Sequence, residues 1–118
     1  MSIGGHRSER LAEEMLHEIS LMLAGDLKDP RLAVPLTVNE VRLSQDKRHA
    51  RVYVRVFSEP EERKAALKGL VAAAGFVRHE LVERLQLRKA PELSFVLDES
   101  EEYGDHIEDL IRKSKDAT

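Results

Sequence analysis

In Ala50-Arg51-Val52-Tyr53-Val54-Arg55-Val56-Phe57, apolar residues with small or branched side chains recur at every second position. That period of two is typical of a β-strand with one buried face. A second strand is predicted upstream at Leu36 to Leu43, where the apolar phase slips between Val38 and Val41 as a β-bulge would cause. The polar stretch from Ser44 to His49 is long enough for a hairpin loop. An antiparallel pair is therefore predicted.

A helix is predicted before this hairpin. Ser8 is a candidate N-cap, and Gly25 supplies the expected left-handed stop. Apolar residues recur between them at three- and four-residue spacing, at Leu11, Met15, Leu16, Ile19, Met22 and Leu23. Asp29-Pro30 then predicts a turn, because a proline disfavours helical geometry in the preceding residue.

More helix is predicted after the hairpin. Ser58-Glu59-Pro60-Glu61 fits a capping box with proline in the first turn. The side chains expected to point inward are Ala65, Leu67, Leu70 and Val71, followed by Phe76, Val77, Leu81, Val82 and Leu85. Gly75 interrupts the pattern with no spacer, so we expect either two helices that meet at a kink at Ala73-Ala74-Gly75 or one bent helix. A third strand is predicted at Leu93 to Leu97.

Composition limits the class of protein. The 118 residues fit one compact α+β domain, and the absence of cysteine excludes a disulfide scaffold and a thiolate metal site. The longest apolar run, Leu70 to Val77, is far shorter than the roughly 20 residues that cross a bilayer. Because the N-terminal residues lack the apolar core of a signal peptide, a cytoplasmic location is expected.

Charge is divided unevenly along the chain. The net charge is -3, but residues 1–90 hold 16 Lys and Arg against 13 Asp and Glu, whereas residues 91–118 hold 3 against 9. We predict a domain at 1–98 and an acidic appendix at 99–118, which is partly helical and frays at its end. The helix would begin at Ser100 and carry the apolar stripe Tyr103, Ile107, Leu110 and Ile111.

Six short segments, in this order and spacing, resemble one known family. They are Arg7-Ser8-Glu9-Arg10-Leu11, Lys28-Asp29-Pro30-Arg31-Leu32, Val41-Arg42-Leu43-Ser44-Gln45-Asp46, Ala50-Arg51-Val52-Tyr53-Val54, Ala73-Ala74-Gly75-Phe76-Val77-Arg78 and Leu87-Arg88-Lys89-Ala90-Pro91-Glu92-Leu93-Ser94-Phe95. The chain is similar over nearly its whole length to the ribosome-binding factor A family.

The resemblance implies a fold and a function. The fold is a type II KH-like α-β-β-α-α-β sandwich, with the helices on one face of a three-stranded sheet and an Ala-x-Gly kink between two helices. The function is that of a monomeric bacterial assembly factor that binds the free small (30S) ribosomal subunit. Such a factor assists 5′-end processing of 16S rRNA and late subunit maturation, and supports growth after cold shock. The resemblance implies no catalysis, cofactor, metal or membrane contact, and an assembly GTPase as the partner that triggers release.

The candidate RNA and ribosome contacts are basic residues and the kink. They are Arg7, Arg10, Lys28, Arg31, Lys47, Arg48, Ala73, Ala74, Gly75, Arg78, Arg88 and Lys89. Known KH domains grip single strands with a Gly-x-x-Gly loop, and Ala73-Ala74-Gly75 stands in its place here. A helix that starts after Gly75 would offer free N-H groups to a phosphate, with Arg78 one turn further on.

Each of these interpretations has a structural alternative. Ala73 and Gly75 could merely allow close helix packing while Arg78 is solvated; spacing alone favours this view, and the resemblance favours contact with RNA. Arg51 and Arg55 flank Tyr53 on one strand face, which suggests either a stacking platform with phosphate clamps or an aromatic core under the helices. Of these two, we favour a core that contains Tyr53 and Phe57.

The sequence bears on two other classes of function. No His-Glu-x-x-His motif, phosphate loop or dinucleotide glycine pattern occurs, so an enzyme is disfavoured, although small α+β folds do host hydrolases. The alternative to a ribosomal role is a protein-interaction or regulatory module that docks through the C-terminal apolar stripe.

Overall fold

The computed structural model describes residues 3–99, and side chains from Ser8 onward. Two helices and three strands follow one another: α1 Ile3–Gly25, β1 Leu36–Leu43, β2 His49–Val56, α2 Pro60–Leu85 and β3 Glu92–Leu97, with a short 3₁₀ turn at Pro30–Leu32 before β1. The predictions for the C-terminal helix and its apolar stripe lie outside the described residues.

The three strands form one mixed sheet in the order β1-β2-β3. β1 and β2 are antiparallel, which confirms the predicted hairpin. The register shifts after Val38, so that Val38 faces Val54 whereas Glu40 faces Tyr53, and this leaves Asn39 as the extra residue of the predicted bulge. β3 runs parallel to β2, because α2 carries the chain back along the sheet before β3 begins.

Both helices cover the same face of the sheet. On β2, Val52 and Val54 are fully buried, as the alternation predicted. The fully buried helix residues above them are Met15, Ile19 and Met22 of α1 and Ala66, Leu70, Val77 and Leu81 of α2. The α+β class with helices on one side is confirmed, and the opposite face of the sheet carries no helix among residues 3–99.

The boundaries of α1 differ from the prediction. The helix begins at Ile3, before the candidate cap Ser8, and continues through Gly25. The left-handed stop is wrong, since no glycine in the described chain has a positive φ. The backbone N-H groups of Asp26 and Leu27 both donate to the carbonyl of Met22, at 2.8 and 3.3 Å, so the last turn closes without a left-handed residue.

α2 is one continuous helix from Pro60 to Leu85, so the expectation of two helices that meet at Ala73-Ala74-Gly75 is wrong, and a single helix through these residues is observed instead. The element order is α-β-β-α-β. The buried positions 66, 70, 77 and 81 form a single stripe that passes Gly75 without interruption. A glycine inside a helix costs about 1 kcal/mol relative to alanine, and packing on both sides of it outweighs that cost.

The start and the buried face of α2 also differ from the prediction. Pro60 does occupy the first turn, but the N-cap is Glu59, which makes no side-chain cap bond, and Ser58 donates to the carboxylate of Glu62. The predicted capping box is therefore absent. Val71 and Phe76, both expected inside, are 60% and 44% exposed.

A candidate nucleic-acid interface

Several of the candidate cations meet where β2 and β3 begin. We call this region the hairpin end, which comprises the β1–β2 turn (44–48), the α2–β3 linker (86–91) and Arg78. The backbone N-H of Glu92 donates to the carbonyl of Arg48 at 2.8 Å, which joins the turn to the linker. The turn that carries Lys47 and Arg48 therefore adjoins the end of the linker that carries Arg88 and Lys89.

The turn holds Lys47 and Arg48 in a defined conformation. Lys47 has a φ of 60°, in the left-handed region, and its N-H donates to the carbonyl of Ser44. Asp46 accepts a hydrogen bond from the Ser44 hydroxyl at 2.6 Å and another from the N-H of Arg48 at 3.0 Å. Since both donors favour the ionised carboxylate, they lower the pKa of Asp46, the Ser44 hydroxyl most.

Arg78 fastens the linker to α2. Its Nε donates to the carbonyl of Pro91 at 2.9 Å and its Nη2 donates to that of Ala90 at 3.1 Å, while Nη1 lies 3.9 Å from Glu92. The predicted phosphate site at a helix start after Gly75 is wrong, because α2 is continuous there and has no N-terminus at that point. Arg78 thus positions the linker that carries Arg88 and Lys89, both of which are exposed.

A second group of candidates lies at the 3₁₀ turn. Asp29 caps this turn and pairs with Arg31, whose Nη2 is 2.6 Å and Nε 3.0 Å from the two carboxylate oxygens. The Arg31 side chain lowers the pKa of Asp29 through these hydrogen bonds. Lys28 is exposed beside them. None of the hydrogen bonds or ion pairs described between residues 8 and 99 joins this group to the hairpin end.

The two candidates in α1, Arg7 and Arg10, form a third group. Arg10 is exposed and borders a shallow surface cavity that it shares with Glu13, Glu14 and Glu18. A phosphate bound at Arg10 would lie near three carboxylates, and their repulsion disfavours the binding of an anion. Arg7 lies in α1, and its side chain is outside the described part of the chain.

The middle of α2 offers an exposed surface without charge. Gly75 is exposed, and a Cβ added to it would have no atom within 4 Å. By contrast, a Cβ on Gly69 would lie 3.3 Å from the Leu32 side chain, so packing accounts for that glycine. Ala73 and Ala74 are half-buried beside Gly75, and the neighbouring Val71 and Phe76 are exposed.

The open face of the sheet is basic, and the sequence prediction for it was wrong. Phe57 is 55% exposed and Tyr53 half-buried, on the face without helices, so neither belongs to the core. The Arg42 guanidinium lies 5.3 Å from the centre of the Tyr53 ring and pairs with Glu40 at 2.7 Å. Arg42 was missed as a site residue. The register of the hairpin would have found it, because a turn at 44–48 places Arg42 opposite Arg51.

Comparison with known proteins gives the family. The family model described as "Ribosome-binding factor A" matches residues 7–111. The chain belongs to the ribosome-binding factor A family. It is 45% identical to the ribosome-binding factor A of Acetivibrio thermocellus and 39% identical to that of Caldanaerobacter subterraneus, in each case over 92% of this chain and 88% of the relative.

Solved structures of the family share the fold. The crystal structure of ribosome-binding factor A from Thermus thermophilus is 32% identical with a TM-score of 0.70, covering 80% of this chain and 98% of that one. The solution structure of a Thermotoga maritima protein described as a putative ribosome binding factor A has the same TM-score at 38% identity, covering 81% of this chain and 91% of that one. The KH-like fold is therefore confirmed.

A third neighbour comes from a complex. A homology model of the Thermus thermophilus factor, fitted into a cryo-EM map of a 30S–RbfA complex, is 31% identical with a TM-score of 0.62 and covers 75% of this chain and 91% of that one. In the chain as described, no three His, Asp or Glu side chains are grouped to hold a metal. Neither α1 nor α2 is long and apolar enough to cross a membrane.

Proposed function

We propose that this member of the ribosome-binding factor A family binds the free small ribosomal subunit and assists its late maturation. The observation that carries the proposal is the likeness to the factor that was fitted into a 30S–RbfA complex, at a TM-score of 0.62. The proposal includes 5′-end processing of 16S rRNA and support of growth in the cold. Because free small subunits are assembled in the cytoplasm, the factor acts there.

Two surfaces of this chain fit such a partner. The hairpin end presents Lys47, Arg48, Arg88 and Lys89 on loops, where their side chains reach the phosphate backbone. Gly75 has no side chain on the exposed face of α2, where Val71 and Phe76 are exposed and apolar, so rRNA or protein backbone can approach closely at the glycine. Lys28, Arg31, Arg7 and Arg10 stay candidates of lower rank, since Arg31 is paired and Arg10 has acidic neighbours.

The mechanism we propose is steric and needs no catalytic group. A monomer bound to immature rRNA stabilises one arrangement of the subunit and delays its entry into translation. An assembly GTPase then remodels the site and releases the factor. The domain at 1–98 carries the binding, and residues 99–118 are the acidic appendix.

The test is co-sedimentation of the purified protein with isolated small subunits, whole ribosomes and an unrelated structured RNA. The informative variant is Arg88→Glu with Lys89→Glu, because both side chains are exposed and the structure gives neither a hydrogen bond within the described chain. Arg78→Glu is unsuitable, since it would also release the linker. Lys64→Glu with Lys68→Glu, a double charge reversal at two exposed positions on the first half of α2, is the matched control.

We expect selective pelleting with free small subunits, reduced by the double reversal and unchanged by the control. Equal binding to all three RNAs would leave only an electrostatic binder, and no binding to any would overturn the ribosomal role. Processing is tested separately, by measuring precursor 16S rRNA and cold growth in cells that lack the factor. Rescue by the wild type but not by the double variant would support the finer proposal.

A further inference from the structure

A pocket of about 360 Å³ opens on the helix-free face of the sheet, next to the hairpin end. Its polar lining comes from all three strands and the turn: Arg42, Ser44, His49, Arg51 and Ser94. None of the described lining residues is acidic. The pocket is thus a concave site with two arginines in its lining, and it is large enough for a phosphate group.

The two arginines of the pocket face each other across the hairpin. Arg42 and Arg51 are register partners in the antiparallel pair, and like charges in that position are mutually unfavourable. Glu40 and the Tyr53 ring compensate Arg42. No hydrogen bond or ion pair to Arg51 is present in the described part of the chain. Arg51 is therefore an exposed cation held beside another cation without a counter-charge.

Two further polar residues complete the site. Ser94 is the register partner of Arg51 on β3, and it lines the pocket. His49 lies two residues before Arg51 on the same face of β2. The nearest carboxylate on that face of β3 is Glu92, opposite His49, and it lies 3.9 Å from Arg78 at the edge of the sheet. Guanidinium and hydroxyl donors in this arrangement match the oxygens of a phosphate.

We propose that this pocket binds a backbone phosphate of small-subunit rRNA, so that the open sheet face is an RNA contact surface in addition to the hairpin end. The inference rests on the proposed function and deepens it by naming the surface and the contact. The turn that carries Lys47 and Arg48 also contributes Ser44 to the pocket, so one RNA backbone passes from the hairpin end onto the sheet. An open, shallow site suits a polymer that continues past it, whereas a free small molecule would need enclosure.

The test compares Arg51→Gln with Lys64→Gln in equilibrium binding to isolated small subunits between 50 and 200 mM salt, the range where phosphate contacts dominate the change. Lys64 is an exposed cation on α2, in the helical layer on the other face of the sheet, and does not line the pocket. We expect Arg51→Gln to weaken binding several-fold and to lower the slope of log K against log salt by about 1, as the loss of one phosphate contact does. Lys64→Gln should leave the slope unchanged. Since Arg51→Gln removes a repulsion, its melting temperature should equal or exceed that of the wild type.

NMR observation of the Arg51 side-chain N-H during titration with inorganic phosphate, and separately with a short RNA duplex, distinguishes the sources of the phosphate. A shift with RNA that is lost in Arg42→Gln supports the proposal. A shift with inorganic phosphate alone, or an unchanged salt slope in Arg51→Gln, would overturn it while the ribosomal role stands. If the wild type binds no small subunit, the proposed function fails first, and the absence of an RNA shift at Arg51 would then reject the pocket as well.

Discussion

Gly75 and Gly69 are both interior glycines of α2, but only Gly69 has a packing partner. Neither has a positive φ. Glycine at position 75 therefore weakens the helix without any benefit inside the described molecule, and a residue that lowers stability in this way is typical of a binding surface.

Gly75→Ala should raise the free energy of unfolding by about 1 kcal/mol, because alanine is the better helix former and the added Cβ meets no atom. Denaturant unfolding measures the change. Gly69→Ala is the control and should gain less, since its Cβ would press on Leu32 at 3.3 Å. If the α2 face contacts the small subunit, Gly75→Ala also weakens binding despite its higher stability. Equal binding by both proteins would contradict that contact.

Arg78→Ala should destabilise the protein by about 1–2 kcal/mol, because two backbone carbonyls lose a charged donor at a site where the side chain is 33% exposed. Arg78→Lys should recover only part of this loss, since lysine lacks the planar fork that reaches both carbonyls. Thermal unfolding measures both. Arg88→Ala, an exposed arginine of the linker, should stay within about 0.5 kcal/mol of the wild type. An Arg78→Ala variant as stable as the wild type would show that the linker keeps its position without this side chain.

At the scale of elements, the β1–β2 turn depends on an ionised carboxylate. The Asp46 carboxylate accepts hydrogen bonds from the Ser44 hydroxyl and from the Arg48 N-H, and the ionised carboxylate is the better acceptor for both. The pKa of Asp46 is consequently lower in the folded protein than its ordinary value of 3.8. Its contribution to stability is present above that value and is lost as the pH falls through the lower, folded pKa.

Asp46→Asn should therefore flatten the acid limb of the stability curve. Unfolding free energies measured from pH 6 downward should converge for the variant and the wild type below the ordinary pKa of 3.8. Arg31 lowers the pKa of Asp29 as well, so Asp29→Asn should also flatten the acid limb of the stability curve. Glu83→Gln, an exposed carboxylate of α2, serves as the control. Parallel curves for wild type and Asp46→Asn would refute the role of the turn.

α2 is tied to other elements near its C-terminal end. Arg84 in its last turn reaches Glu18 at 3.3 Å and Asp26 at 2.7 Å, which ties it to α1. Arg78, less than two turns earlier, holds the linker to β3. The basic loops of the hairpin end are therefore anchored to the helical layer, and their positions are set before any partner arrives.

For the molecule as a whole, charge distribution matters more than net charge. The chain carries -3 in total, yet residues 1–90 carry an excess of three basic residues, and the tail holds the acidic surplus. The described basic residues of the hairpin end and the open sheet face adjoin each other through the turn at 44–48. Recognition by this surface is expected to rest on phosphates and shape.

Affinity for small subunits should fall steeply between 50 and 200 mM salt, because each neutralised phosphate releases counterions. Sedimentation equilibrium or filter binding across this range gives the slope. Deletion of residues 99–118 should leave the slope unchanged if the acidic segment stays away from the basic surface, and should tighten binding at low salt if it competes with RNA. A flat salt dependence of the full chain would contradict phosphate-dominated binding.

Local sequence determined the strands, the hairpin and its bulge, because a period of two and a phase slip depend only on neighbouring residues. The sequence also identified the family, since the order and spacing of six motifs can be recognised without a structure. Only the tertiary structure decided that α2 runs through Gly75, because the stripe from Ala66 to Leu81 packs on both sides of the glycine. Only the tertiary structure shows that Tyr53 lies outside the core and that Arg78 donates hydrogen bonds to two backbone carbonyls. Which face of a strand the helices cover, and which donors find partners across the chain, depend on long-range packing that local patterns do not contain.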